Sequence, residues 1–253
     1  METMNLRDEG AVRIVQLDRP EVLNAFNGVV MDELAQTFID ANADDNIRVL
    51  VLTGKGRAFS AGADLMEMGQ SNREPIHGFG GMQEAILNFE KPFIVAINGL
   101  GVGVGATIAG LADLVFIAES ARLRCPFSAL GLTAEAASTF TFPRLMGHQR
   151  ASWFLLAAEW MSAQEAVDSG LALELFADDE LMPQAMERAQ KLAALPLDSL
   201  RVTKTLMMDP VRDRMRATIK AETEGLASLV GGPANREALM AFREKRDPDF
   251  SAL

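Results

Sequence analysis

The chain has 253 residues, 49% apolar and 23% charged, and 24 Lys+Arg against 35 Asp+Glu leave a net charge of −11. That length and apolar fraction allow one substantial core with an appendage, and the acidic balance argues against a surface built to neutralise nucleic-acid phosphates. The single cysteine, Cys125, excludes an internal disulfide and is read as a buried, inert thiol in a reducing compartment.

The first ten residues carry four charges and no apolar stretch of the signal-peptide kind, so the expected location is cytoplasmic. Ala11 to Leu17 is β-rich and leads into the turn Asp18-Arg19-Pro20. Asn27 then stands where it would cap a helix with Val30, Leu34, Phe38 and Ala41 on one face. Ile47 to Thr53 is a dense β-branched run closed by Gly54-Lys55-Gly56, which predicts a strand buried on both faces of a parallel sheet. After a polar stretch at Ser71 to Pro75, a helix is predicted over Met82 to Phe89.

Phe93 to Ala118 has Asp113 as its only charge and is long enough to span a bilayer. Asn98 and the glycines at 99, 101, 103, 105 and 110 instead make it strand, glycine loop, short helix and strand within a soluble core, so no membrane association is expected. Ser162-Ala163-Gln164-Glu165 reads as a capping box, with Gly170 placed to end that helix and Leu171 to Phe176 returning as a strand. From Asp179 onward the chain reads as helical, broken at Pro196, Pro210 and Gly231-Gly232-Pro233. The last three residues, Ser251-Ala252-Leu253, lack the basic middle residue of a peroxisomal address.

Several chemistries lack their anchors. His77 and His148 are far apart and have no ligand spacing, so no metal site is expected. Neither a Gly-x-Ser-x-Gly elbow nor a P-loop is present. Gly101-Val102-Gly103-Val104-Gly105-Ala106 fits a dinucleotide fingerprint, with Glu119 as the ribose acid. The helix available after it is only about two turns, shorter than the usual crossover. Two loops, Ala58 to Leu65 and Asn98 to Gly105, each follow a strand. Their small residues would let a ligand approach main-chain N–H groups, and two amides from separate loops can converge on one oxygen.

The run Val51-Leu52-Thr53-Gly54-x-Gly56-x-Ala58-Phe59-Ser60-Ala61-Gly62-Ala63-Asp64-Leu65 resembles the acyl-CoA loop of the crotonase (enoyl-CoA hydratase/isomerase) superfamily. The resemblance continues through Asn98-Gly99, Pro126, Gly131-Leu132, Pro143-Arg144, Gly147, Arg150-Ala151 and Ser162-Ala163-x-Glu165-Ala166. It implies an α/β fold, a spiral of ββα units over residues 1–195, with a helical C-terminal region over 196–253 that contributes to a homotrimer or a pair of trimers. It also implies an acyl-CoA thioester substrate, with coenzyme A as part of the substrate and no separate cofactor. By the same resemblance the N–H groups of Ala63 and Val104 form an oxyanion hole. Ala61, Gly62, Ala63, Asp64 and Leu65 line the CoA path, Leu23, Asn24 and Ala25 help hold the adenine end, and Phe127 and Leu132 also bind substrate.

The departures from the family pattern bear on the reaction. Where hydratases carry one glutamate in the helix after the glycine loop, this chain has Thr107, and where the other follows a proline, it has Phe127. Water addition needs a base for water and an acid for C2, and both positions have lost theirs. The segment from Pro126 through Glu135 to Pro143 is similar to the peroxisomal-type 3-enoyl-CoA to 2-enoyl-CoA isomerases of β-oxidation, in which a glutamate at the position of Glu135 is the sole acid/base. Leu132, Ala134, Ala136, Ala137, Phe140 and Phe142 predict an apolar setting that raises its pKa. Asp64 and Glu67 flank the first loop and are read as turn or surface acids. Hydration or another crotonase-type acyl-CoA reaction with a different carboxylate, and non-catalytic binding of a CoA thioester, are the alternatives.

Overall fold

The computed structural model describes residues 1–64, 74–251 and 253. The chain begins with Met4–Glu9 (β1) and Val12–Leu17 (β2), an antiparallel pair, followed by the helix Gly28–Ala43 (α1). Strand, strand and helix then repeat. Val49–Gly54 (β3), Ala58–Ser60 (β4) and Gly78–Leu87 (α2) make the next unit. Phe93–Ile97 (β5), Leu100–Val102 (β6) and Val104–Thr107 (α3) follow, and then Leu114–Ala118 (β7), Arg122–Arg124 (β8) and Ser138–Met146 (α4). Beyond α4 come His148–Leu156 (α5), Trp160–Ser162 (β9), Ala163–Ser169 (α6), Glu174–Phe176 (β10) and Leu181–Ala193 (α7). Two helices, Leu197–Leu229 (α8) and Pro233–Glu244 (α9), complete the described elements.

After the first, each repeat splits its two strands between two sheets, which is what makes the chain a spiral. Among the described residues the larger sheet has the order β1-β2-β3-β5-β7-β10 and the smaller one β4-β6-β8-β9. Runs of Val, Ile and Leu are stable as strands when both faces are covered, and β3 and β5 are buried at every residue. Gly54 ends β3 where a Cβ would lie 2.8 Å from the Phe59 Cα, so only glycine lets the chain pass this closely from one sheet to the other. The Asn98 carboxamide braces the same corner, accepting from Gly54 N at 2.9 Å and donating to Gly56 O at 3.0 Å.

The helices pack over the larger sheet as their apolar spacing predicts. Phe38 on α1 meets Phe89 and Phe93 edge-on, with centroids 5.1 and 4.8 Å apart. Asn27 caps α1 by accepting from Val30 N at 3.0 Å, a contact worth about 1 kcal/mol. The Ser162/Glu165 capping box and the left-handed Gly170 bound α6 as expected.

Other expectations shift. α2 begins at Gly78 rather than Met82, because Asp32 of α1 accepts the N–H groups of Ile76, His77 and Gly78. The strand expected from Leu171 is limited to β10. The glycine segment is not all loop, since it contains β6. Pro210 does not break the C-terminal region: α8 runs through it for 33 residues. Proline removes one helical hydrogen bond and displaces the carbonyl four residues back, which belongs here to Leu206, an exposed position where water can replace the lost donor. Phe93 to Ala118 is interior, and among the described residues no helix is long and apolar enough to cross a membrane.

Candidate active site

The parallel pairing of β4 with β6 brings the ends of both strands, and so both loops, to the same side. Gly62, at φ 89°, lies so close to the second loop that a Cβ would meet Val102 O at 2.7 Å, and the Cα of Gly103 is 3.7 Å from the same point. The first loop accommodates no side chain at Gly62, and Gly103 stands at a left-handed φ of 54°, so Ala63 and Val104 follow directly from a glycine-to-glycine junction. A third segment fixes the first loop: Ala61 N donates to Leu23 O at 2.9 Å, and Phe26 bridges Ala63 through Phe26 N to Gly62 O at 2.7 Å and Asp64 N to Phe26 O at 2.9 Å. That bridge uses the groups on either side of Ala63, and the Ala63 N–H takes part in none of the described hydrogen bonds. Val104 begins α3, where a helix leaves its first N–H groups without intrahelical partners.

One helical turn after Val104, on the same face of α3, stands Thr107, which is fully buried. Its hydroxyl donates to Glu135 Oε1 at 2.6 Å. Among the described residues the other carboxyl oxygen, Oε2, has no hydrogen-bond partner, and neither do the hydroxyls of Ser138 and Thr141 on the same segment. Buried polar atoms are nearly always paired, so three open ones within seven residues mark a place adapted to something other than packing. Burial pushes the Glu135 carboxyl up to about 8, helped by the negative charge of Glu222 and partly opposed by the Thr107 hydrogen bond. A carboxyl with one oxygen held, the other open and an affinity for its proton close to neutrality can both take and return one proton. Ala134, Ala136, Ala137 and Phe142 are buried around the segment as its composition predicts, and Phe140 is half-buried.

The residues read as the substrate path fall into two groups. Leu23 and Ala61 are half-buried and Ala63 is exposed, whereas Asn24, Ala25, Gly62 and Asp64 are buried. Asn24, left-handed at φ 56°, donates to Ala58 O at 2.8 Å and Lys55 O at 3.0 Å, tying its loop to β4. Asp64 is not a surface acid: it is buried and pairs with Arg19 at 3.0 Å, and Arg19 also donates to Ala25 O at 2.7 Å, so this pair ties the Arg19–Ala25 segment to the first loop. Leu65 and Glu67 lie outside the described residues. Phe127 is buried and Leu132 half-buried, joined by Leu132 N to Phe127 O at 2.8 Å.

Cys125 is fully buried as expected, and its thiol is pushed well up by burial and by Glu135. Two contributors were not legible from sequence: Thr107, which composition offered only as a missing glutamate, and Glu222, far along the chain on α8. Among the described residues no three His, Cys, Asp or Glu side chains group as a metal site.

The chain matches the family described as Enoyl-CoA hydratase/isomerase over residues 7–252. It is 33% identical over 260 residues to the 1,2-epoxyphenylacetyl-CoA isomerase of Escherichia coli (strain K12), covering 99% of each chain. It is 31% identical over 227 residues to the enoyl-CoA delta isomerase 2 of Homo sapiens, covering 85% of this chain and 57% of that one. Among solved structures it superimposes on an enoyl-CoA hydratase/isomerase from Pseudoalteromonas atlantica T6c with a TM-score of 0.94 at 33% identity, covering 98% of this chain and 100% of that one.

Proposed function

Since this chain belongs to the enoyl-CoA hydratase/isomerase family, of the crotonase superfamily, we propose that it converts a 3-enoyl-CoA, cis or trans, to the trans-2-enoyl-CoA in unsaturated fatty-acid breakdown. The substrate is the acyl-CoA thioester itself, and the reaction calls for no separate cofactor. In this reading the thioester oxygen lies between the N–H groups of Ala63 and Val104. The Glu135 carboxylate takes a proton from C2, the electron pair spreads into a dienolate whose charge rests on that oxygen, and the Glu135 carboxylic acid returns the proton to C4. One proton leaves and one arrives, so a single group suffices.

The observation that carries the reading is the state of Glu135: in an apolar setting, one oxygen is left open and the other is fixed by Thr107, which stands one helical turn from the Val104 amide. The positions at which hydratases keep their two acids hold a hydroxyl already engaged with Glu135 and a buried phenyl ring. Leu23, Ala61, Ala63 and Leu132 keep accessible surface for the CoA ester and its acyl chain. The proposal extends to a closed homotrimer, or a pair of trimers, in the cytoplasm. It is supported by the apolar residues Leu206 and Met207 of α8, which are 68% and 69% exposed in one chain.

The test is to incubate the pure protein separately with 3-hexenoyl-CoA and 2-hexenoyl-CoA. Formation of the positional isomer is the expected result. A 3-hydroxy product would favour the hydratase reading, and tight binding without turnover would favour a CoA-thioester binding protein.

A further inference from the structure

α8 reaches the site from a distant part of the chain. Of its 33 residues only Met215 and Glu222 are buried. The Glu222 carboxylate accepts the N–H of Ala137 at 2.7 Å, the N–H of Thr139 at 3.0 Å and the Thr139 hydroxyl at 2.6 Å. α4 begins just here, with Ala137 at its N-cap position and no capping side chain of its own. Its first N–H groups, which a helix cannot satisfy internally, are therefore met by an acid from another helix, at the end of the dipole where negative charge is favoured.

The two residues between Glu135 and α4 are in an unusual conformation. Ala136 and Ala137 both sit at left-handed φ, 57° and 58°, which alanine rarely adopts because its Cβ crowds the following carbonyl. Two such residues in succession persist only where the surroundings over-determine them. The Glu222 contacts bracket the strained turn at its far side, and the Thr107 hydroxyl holds Glu135 at its near side. A serine at the N-cap would close α4 with less desolvation than a buried carboxylate. What the carboxylate adds is a fixed negative charge beside Glu135.

We infer that Glu222 is a positioning residue for Glu135: it locks the left-handed turn that aims the carboxyl at α3. Its charge in addition makes Glu135 hold its proton more firmly. The inference rests on the reading of Glu135 as the acid/base group. The titratable groups bearing on Glu135 are Glu222 on α8 and the Cys125 thiol just beyond β8. Burial raises the Glu222 carboxyl as well, but Glu222 is served by three donors and Glu135 by one, so Glu222 ionises first as the pH rises.

The experiment follows the Glu135 carboxyl by carbon-13 NMR titration, its signal identified by its loss in Glu135→Gln, in the wild-type protein and in Glu222→Gln and Glu222→Asp. The wild-type midpoint is expected near 8. In Glu222→Gln it falls, and kcat falls about ten- to a hundredfold with KM little changed, the scale of a misplaced catalytic group. Glu222→Asp keeps the charge and recovers part of both. An unchanged midpoint in folded Glu222→Gln, or a kcat within about twofold of wild type, overturns the inference. Should Glu222→Gln not fold, hydrogen exchange in the wild-type protein decides: the amides of Ala137 and Thr139 must be protected, and free exchange overturns the capping. Absence of isomerase turnover in the wild type would sink the proposed reaction, while the titration still judges the coupling of the two carboxyls.

Discussion

Glu135 shows how one side chain is set against its own fold. Below about 4.5, its ordinary value, the folded and unfolded chains both hold the proton and the residue costs nothing. Above that the unfolded chain releases it, while the folded one keeps it up to about 8, so the penalty grows with pH. Glu135→Gln should therefore melt higher than wild type at pH 7 by an amount on the order of 3 kcal/mol, with the gain fading towards pH 4.5. Thermal melting at both pH values checks it. The same substitution should lower isomerase turnover by about two to four orders of magnitude, the scale of a positioned base. Retention of more than about a tenth of the activity in the folded variant would move the role elsewhere. Because proton abstraction needs the ionised form, kcat/KM should rise with pH and level off above about 8. Thr107→Val removes the hydrogen bond that lowers the Glu135 pKa, so this rise should shift to higher pH, with a smaller loss of turnover than Glu135→Gln. The apolar setting of Glu135 was legible because its apolar neighbours in sequence stayed neighbours in space. Thr107 and Glu222 were not, since a threonine 28 residues before it and a glutamate on another helix carry no local sign of facing it.

At the scale of elements, the two loops owe their geometry to main-chain contacts, which permits a narrow test. The bridge to Phe26 uses Gly62 O and Asp64 N, leaving the Ala63 N–H out of it. Ala63→Pro should thus retain the bridge while deleting one oxyanion donor, with a loss of about a hundredfold or more in turnover. Val104→Ala should keep most of its activity. Near-native turnover in a folded Ala63→Pro variant, verified by melting and CoA-ester binding, would remove Ala63 from the site. The long β-branched runs β3, β5 and β7 were legible because full burial leaves a dense apolar signature. The three-residue strands β4, β6, β8 and β9 were not: pairing between segments distant in sequence makes them, and periodicity needs more residues than three. Pro210 misled for the opposite reason, since a local breaker was outweighed by the helix around it.

For the whole molecule, the spiral was legible through the resemblance and the alternation of strand and helix. Its division into two sheets depends on corners such as Gly54, which a sequence marks only as a glycine. The C-terminal helical region was expected to contribute to a trimer, and α8 leaves Val202, Leu206 and Met207 largely exposed. If these faces are covered by other copies, sedimentation equilibrium at micromolar concentration should give a multiple of three of the 27.4 kDa chain. A mass of one chain would refute the trimer. Charged substitution at Leu206 and Met207 should shift the equilibrium towards smaller species.

The bond between Glu222 and the turn after Glu135 spans 85 residues of sequence. In the order of synthesis, the loops, α3 and Glu135 are all made before the residue that fastens the turn. A ribosome-bound or prematurely ended chain that stops short of residue 222 therefore carries every group proposed to touch substrate and still lacks the cap of α4. Such a fragment should be inert even where its sheets have formed, so the protein would acquire its activity only after most of α8 has been made.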